Sequence, residues 1–127
     1  MPTVSNLETE LSKGAHGEAQ VLLWLQQHGY TVLRQNYRCR TGEIDLIARC
    51  GDVIAFVEVK LRMHQYFDLS EVITSVKQRR ILSAARHYLA YFNDQNVNYR
   101  FDVALVHKIE SGFKVEYLEN AFEGSEF

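Results

Sequence analysis

The sequence predicts an α/β domain, a mixed central sheet flanked by helices, with elements in the order αβββαβ and one more strand near the C-terminal end. Three observations carry this. An apolar stripe at helical spacing occupies the first quarter of the chain, five short strand-like runs follow, three of them alternating with period two, and a capped amphipathic segment separates the third strand from the fourth. With 127 residues, 46% hydrophobic and 24% charged, the chain is long enough to bury a core and reads as a single domain over 1–127, its core spanning 7–118 and its termini frayed.

The first helix is expected from near Asn6 to Gly29, a residue suited to the C′ position after His28. Its stripe is Leu11, Ala15, Leu22 and Leu25, and Glu18 fills the gap in that stripe. Such a carboxylate either finds a cation, a hydrogen-bond partner or a metal, or sits at the edge of the stripe with its head in water. Gly14 and Gly17 allow close backbone approach. Tyr30 to Arg38 reads as the first strand and leads into a basic loop, Tyr37-Arg38-Cys39-Arg40.

Two further strands lie in Gly42 to Arg62. In the second of them Val53, Ala55, Val57, Val59 and Leu61 share one face, and Ile54, Phe56, Glu58, Lys60 and Arg62 share the other; in the first, Ile44, Leu46 and Ala48 alternate with Glu43, Asp45 and Ile47. A two-residue turn at Gly51-Asp52 would put Asp45 directly opposite Glu58. A turn at Cys50-Gly51 would put it diagonal on the same face, and an odd-length loop would separate the two.

Met63 to Ser70 has no period and reads as a loop. Ser75-Val-Lys-Gln is a capping-box pattern that opens a helix to Tyr91, with Ser75 at the N-cap and a core stripe of Ile81, Leu82, Ala85, Tyr88, Leu89 and Phe92. Lys77, Gln78, Arg79, Arg80, Arg86 and His87 fill its other faces. Cations in a first helical turn oppose the dipole, and a bound phosphate would relieve them. Asn93-Asp94-Gln95-Asn96 is a polar turn, Tyr99 to Leu105 a strand, and Phe113 to Leu118 its hairpin partner across Lys108–Gly112.

Asp45, Glu58 and Lys60 are charges that a buried strand would not ordinarily carry. Two carboxylates are the hard oxygen ligands Mg²⁺ prefers, and a lysine beside them can orient or deprotonate an attacking water or stabilise charge on a phosphate. The ordinary alternative is an exposed cross-strand charge pair. Net charge is −2, but residues 34–86 carry ten Lys/Arg against six Asp/Glu, so the middle of the chain is basic while the remainder stands at −6. Cys39 and Cys50 are too few for a disulfide framework, and Met1 to Glu8 lacks the basic and apolar regions of a leader. With no apolar run long enough to span a bilayer, the expectation is a cytoplasmic protein with no membrane partner.

The motifs Gly14-Ala-His-Gly-Glu18-Ala, Asn36-Tyr-Arg38, Gly42-Glu-Ile-Asp45-Leu-Ile-Ala, Phe56-Val-Glu58-Val-Lys60-Leu-Arg62, Ser75-Val-Lys77-Gln78-Arg-Arg and Arg100-Phe-Asp102-Val run in this order from residue 14 to 103. In this set the chain resembles the YraN family of small bacterial proteins and, more broadly, the PD-(D/E)XK nuclease superfamily near its Holliday-junction-resolvase branch. The resemblance implies a restriction-endonuclease-like core and a Mg²⁺ site, which Mn²⁺ can also fill, formed by Asp45 and Glu58 with help from Glu18. It implies Lys60 as the water-activating residue and Gln78 near the site. Ile44-Asp45 replaces the superfamily's Pro-Asp. Arg38, Arg40, Arg62, Lys77, Arg79 and Arg80 are the expected phosphate contacts. The expected function is Mg²⁺-dependent cleavage of DNA, at branched or damaged structures, with a homodimer compatible with a two-fold substrate. A catalytically silent nuclease-fold module for DNA or protein binding is the second expectation, and an interaction protein with no nucleic-acid role the third.

Overall fold

A computed structural model describes residues 17–62, 73–92 and 97–124, together with the position of Phe92 at the end of its helix. The described elements are helix α1 (residues 17–27), strands β1 (Thr31–Cys39), β2 (Gly42–Cys50) and β3 (Val53–Arg62), helix α2 (Ser75–Tyr91), and strands β4 (Asn98–Ile109) and β5 (Gly112–Leu118). The order αβββαββ and the mixed sheet match the expectation. Leu11, Gly14 and Ala15, the Met63–Ser70 segment and the Asn93–Asn96 turn lie outside the described residues.

The five strands stand in the order β1-β2-β3-β4-β5. All pairs are antiparallel except β3 with β4, which run parallel from Val53–Asn98 to Arg62–His107. Parallel neighbours cannot be joined by a tight turn, and α2 lies in the connection between them. The sheet separates two apolar layers. Ile44, Ile47, Ile54, Phe56 and Phe101 pack with Ile81, Ala84, Ala85 and Tyr88 of α2. Leu46, Ala48, Ala55, Val57, Ala104 and Val106 pack with Val21 and Leu25 of α1. Both layers follow the period-two pattern of β3, whose even and odd residues part as expected.

Local chemistry explains the boundaries. Gly29 takes φ +83 and ends α1, with the Tyr30 N–H donating to the Leu25 carbonyl at 2.9 Å in a Schellman arrangement. Gly51, at φ +61, lies in the turn that pairs Cys50 with Val53, so the Gly51-Asp52 loop is the one adopted. Gly42 is buried, and a Cβ there would overlap the Arg80 carbonyl oxygen; its missing side chain lets α2 lie directly on β2.

Several expectations need correction. The N-cap of α2 is Thr74 rather than Ser75: its backbone is extended, and its hydroxyl accepts from the Lys77 N–H at 3.2 Å. Ser and Thr are near-equivalent caps, so adjacent candidates differ only in which one the chain direction leaves extended. Ala84 is fully buried, while Phe92 is 43% exposed and lies beyond the helix's buried stripe. Tyr37–Cys39 continue β1 instead of forming a loop, and β4 extends to Ile109. In β2 the alternation breaks. Ile44 and Ile47 both face α2; the register with β1 shifts between Val32 and Arg34 and is kept from Gln35–Leu46 to Tyr37–Ile44, where the irregular step is the φ of +52 at Asn36, across from Asp45.

Candidate functional site

The irregular step places the first acid. Pairing of β2 with β3 runs from Cys50–Val53 to Leu46–Val57, so one step further Asp45 stands opposite Glu58. There the Val59 N–H donates to Asp45 Oδ2 at 2.8 Å, a side chain taking the place of a ladder carbonyl. The carboxylate is thereby fixed at the mouth between the two strands. Glu58 follows on β3 with its side chain only 15% exposed, and Lys60 shares its strand face by alternation.

The electrostatics follow from this crowding. Burial, then the charge of Asp45, push the Glu58 carboxyl up to about 7, against the opposing pull of Lys77. Glu18, on the first described turn of α1, is also raised, first by burial and then by Asp45, while a hydrogen bond with Asn36 lowers it. The helix residue suspected from its place in an apolar stripe is therefore in electrostatic contact with the strand acids. Three carboxyls thus stand close enough to act on one another's charge.

Two acid groups from adjacent strands suit Mg²⁺, which is held through one or two carboxylates and keeps several waters. Among the described residues no trio of His, Cys, Asp and Glu is grouped closely enough to enclose an ion. The donor set therefore fits an open, water-rich site on Asp45 and Glu58, with Glu18 further out, and does not fit a closed protein cage.

The basic residues divide into two groups. Lys77 Nζ donates to Glu58 Oε1 at 3.5 Å, so this cation belongs to the acid site itself. Glu43, Glu58, Lys77, Arg80 and Ile81 line a cavity of about 80 Å³. On its rim Glu43 bridges Arg38 at 3.5 Å and Arg80 at 3.8 Å. Arg40 and Arg79 are exposed, and Arg62 ends β3 opposite His107. Gln78 turns back to the preceding turn and donates to the Ile73 carbonyl at 3.4 Å, so its side chain serves the helix start and is not joined to the acids. Glu43 was not anticipated as part of this region. Its signal was available: it precedes Asp45 by two residues and shares its strand face by simple alternation.

A second charged cluster lies across the sheet. Asp102 is fully buried; Arg100 Nε donates to its two oxygens at 2.9 and 3.0 Å, the Tyr117 hydroxyl donates at 2.6 Å and the Asn120 N–H at 3.0 Å. Arg100 also reaches the Tyr30 hydroxyl. All four acceptor directions of the carboxylate are in use, which marks the cluster as structural.

The model of the uncharacterised protein family UPF0102 matches residues 17–106, which include every residue of the acid site. Among similar chains, a UPF0102 protein of Nitrosomonas eutropha is 44% identical over 113 residues, covering 88% of this chain and 94% of its own length. One of Syntrophus aciditrophicus is 40% identical over 121 residues, covering 94% and 95%. One of Clostridium acetobutylicum is 36% identical over 113 residues, covering 87% and 93%.

Proposed function

The chain belongs to the UPF0102 family, and we propose that it is a metal-dependent endonuclease that hydrolyses DNA phosphodiester bonds, in keeping with its resemblance to the PD-(D/E)XK superfamily. The supporting observation is the juxtaposition of Asp45 and Glu58 at the mouth between β2 and β3, with Lys60 beside them on the same strand face. A divalent cation, Mg²⁺ or Mn²⁺, would supply a Lewis acid for the phosphate and lower the pKa of a bound water. Asp45 and Glu58 would hold it, and Glu18 would anchor its water shell. Lys60 orients the attacking water or accepts its proton, and stabilises charge on the phosphoryl oxygens. Lys77, Arg80 and Arg38 position the phosphate backbone, a role that any sequence of DNA can satisfy.

The test is cleavage of supercoiled and branched DNA in Mg²⁺ and in Mn²⁺. Activity should vanish in Asp45→Ala and in Lys60→Ala while both variants keep their circular dichroism spectra. Activity that survives in both variants would overturn the reading. In the cell such a protein acts in the cytoplasm with the chromosome, and a two-fold branched substrate would require a homodimer, which sedimentation with a junction substrate measures.

One observation favours a second reading, a catalytically silent DNA-binding module: Lys77 already pairs with Glu58, at 3.5 Å. That reading requires salt-sensitive DNA binding with no turnover in either metal.

A further inference from the structure

The α2 surface continues beyond the acid site in a way that the hydrolytic reading does not use. Lys77, Arg80, His87 and Tyr91 lie along one side of the helix at helical spacing, interrupted at the buried Ala84, where Gly42 of β2 packs on the helix. Strand β1 and the turn after it run alongside. Arg38 meets Arg80 through Glu43, Thr41 meets Ser83, the Tyr37 hydroxyl meets His87 Nδ1, and the Arg34 guanidinium lies 4.6 Å over the Phe92 ring. The stripe begins with the cation that touches Glu58 and ends in aromatic rings.

Those rings stand in water. Tyr91 is 73% exposed and Phe92 43% exposed, and His87 is exposed too. His87 and Tyr91 are ordered against each other, with ring centroids 4.6 Å apart, while Phe92 is covered by Tyr88, stacked at 4.8 Å, and by Arg34 at 4.6 Å. Aromatic rings left outside the core and grouped on one ledge mark a surface that meets something. Cations border the ledge on the β1 side, at Arg34 and Arg38, and lead back to the acid site through Arg80 and Lys77. Flat rings at the end of a cationic track match unpaired nucleobases on a phosphate backbone.

We propose that His87 and Tyr91 form a stacking ledge for unpaired bases of a single-stranded DNA segment whose phosphates follow Arg38, Arg80 and Lys77 to the acid site. The proposal rests on the DNA reading above and specifies its substrate: a duplex with a single-stranded tail or flap. From Lys77 to Tyr91 the helix rises about 21 Å, which at 3.4 Å per step of a stacked strand spans about six nucleotides, and fewer in an extended one.

Fluorescence anisotropy in EDTA, where nothing is cut, compares a blunt duplex with the same duplex carrying a tail of about six unpaired nucleotides. The wild type should bind the tailed duplex more tightly. Tyr91→Ala should lower tailed-duplex affinity about 5- to 100-fold and leave blunt-duplex affinity unchanged, while Tyr91→Phe keeps the preference. Equal affinity of the wild type for both duplexes, or a tail preference that survives Tyr91→Ala, would overturn the ledge and leave the DNA reading standing. Absence of wild-type binding to either duplex would overturn both. Tyr91 is so exposed that its truncation should not affect folding, and an unchanged melting temperature verifies this.

Discussion

Glu58 holds its proton to about pH 7 because burial and the neighbouring Asp45 both disfavour its charge. An unfolded chain releases that proton near 4.5. Between these values the folded state binds the extra proton, so the stabilisation is complete below 4.5 and is lost as pH rises through about 7. The melting temperature should therefore fall from pH 5 to pH 8, and Glu58→Gln should reduce that slope, as differential scanning calorimetry across the range measures. Added Mg²⁺ at pH 8 should raise the wild-type melting temperature, and chelation should reverse the gain; neither should occur in Glu58→Gln. A pH-independent melting temperature would mean that the two carboxyls do not share one region. The strand acids were readable at this scale because alternation and a glycine-first turn fix which residues face each other. The Lys77–Glu58 pair was not, since 19 residues and a change of layer separate its members.

At the level of elements, each boundary depends on a few atoms. Thr74→Ala should destabilise by about 1 kcal/mol through loss of the cap to Lys77, and Ser75→Ala by less than about 0.5 kcal/mol; urea unfolding separates the two. A larger loss in Ser75→Ala than in Thr74→Ala would return the cap to Ser75. Gly42→Ala forces a methyl group into the Arg80 carbonyl, so α2 must lift from β2, at a loss of about 1–3 kcal/mol or more in the same assay. The cavity at Glu58 and Arg80 depends on that packing, so this variant should also weaken the DNA binding proposed above. Helix α2 was legible from its stripe and polar flanks, and α1 from Gly29. The break in β2 was not, because nothing in Ile44-Asp45-Leu46 distinguishes a regular strand from one that changes faces; the positive φ of Asn36 across the ladder accompanies the break.

Over the whole molecule, the two faces of the sheet have different tasks. One carries α2, the cationic stripe and the Glu58–Lys77 pair. On the other, the Asp102 cluster joins Tyr30 before β1, Arg100 on β4, Tyr117 on β5 and Asn120 beyond it. Tyr117 also stacks on Trp24 of α1 at 4.4 Å, and its hydroxyl is held well above its usual range by burial and the Asp102 charge. Tyr117→Phe should lose about 1–3 kcal/mol by leaving Asp102 short of a donor, and Asp102→Ala more, about 3–5 kcal/mol, because the partly buried Arg100 would lose the carboxylate that its Nε binds and keep only Tyr30 and the more distant, exposed Glu119. Trp24, the single tryptophan, reports both in urea titrations followed by fluorescence. By itself the sequence determined the order of elements, a shared face for Asp45 and Glu58 on either two-residue turn and the set of charges too costly to bury without a reason, because alternation, glycine and capping act over a few residues; the structure selected the Gly51-Asp52 turn. Only the tertiary structure decided that Lys77 lies on Glu58, that Glu43 ties Arg38 to Arg80, that Gln78 stays with its own helix turn and that Asp102 is a structural anchor. Those pairings join segments distant in sequence, and their geometry is set by how closely α2 settles on β2 and by where β2 leaves its regular pleat.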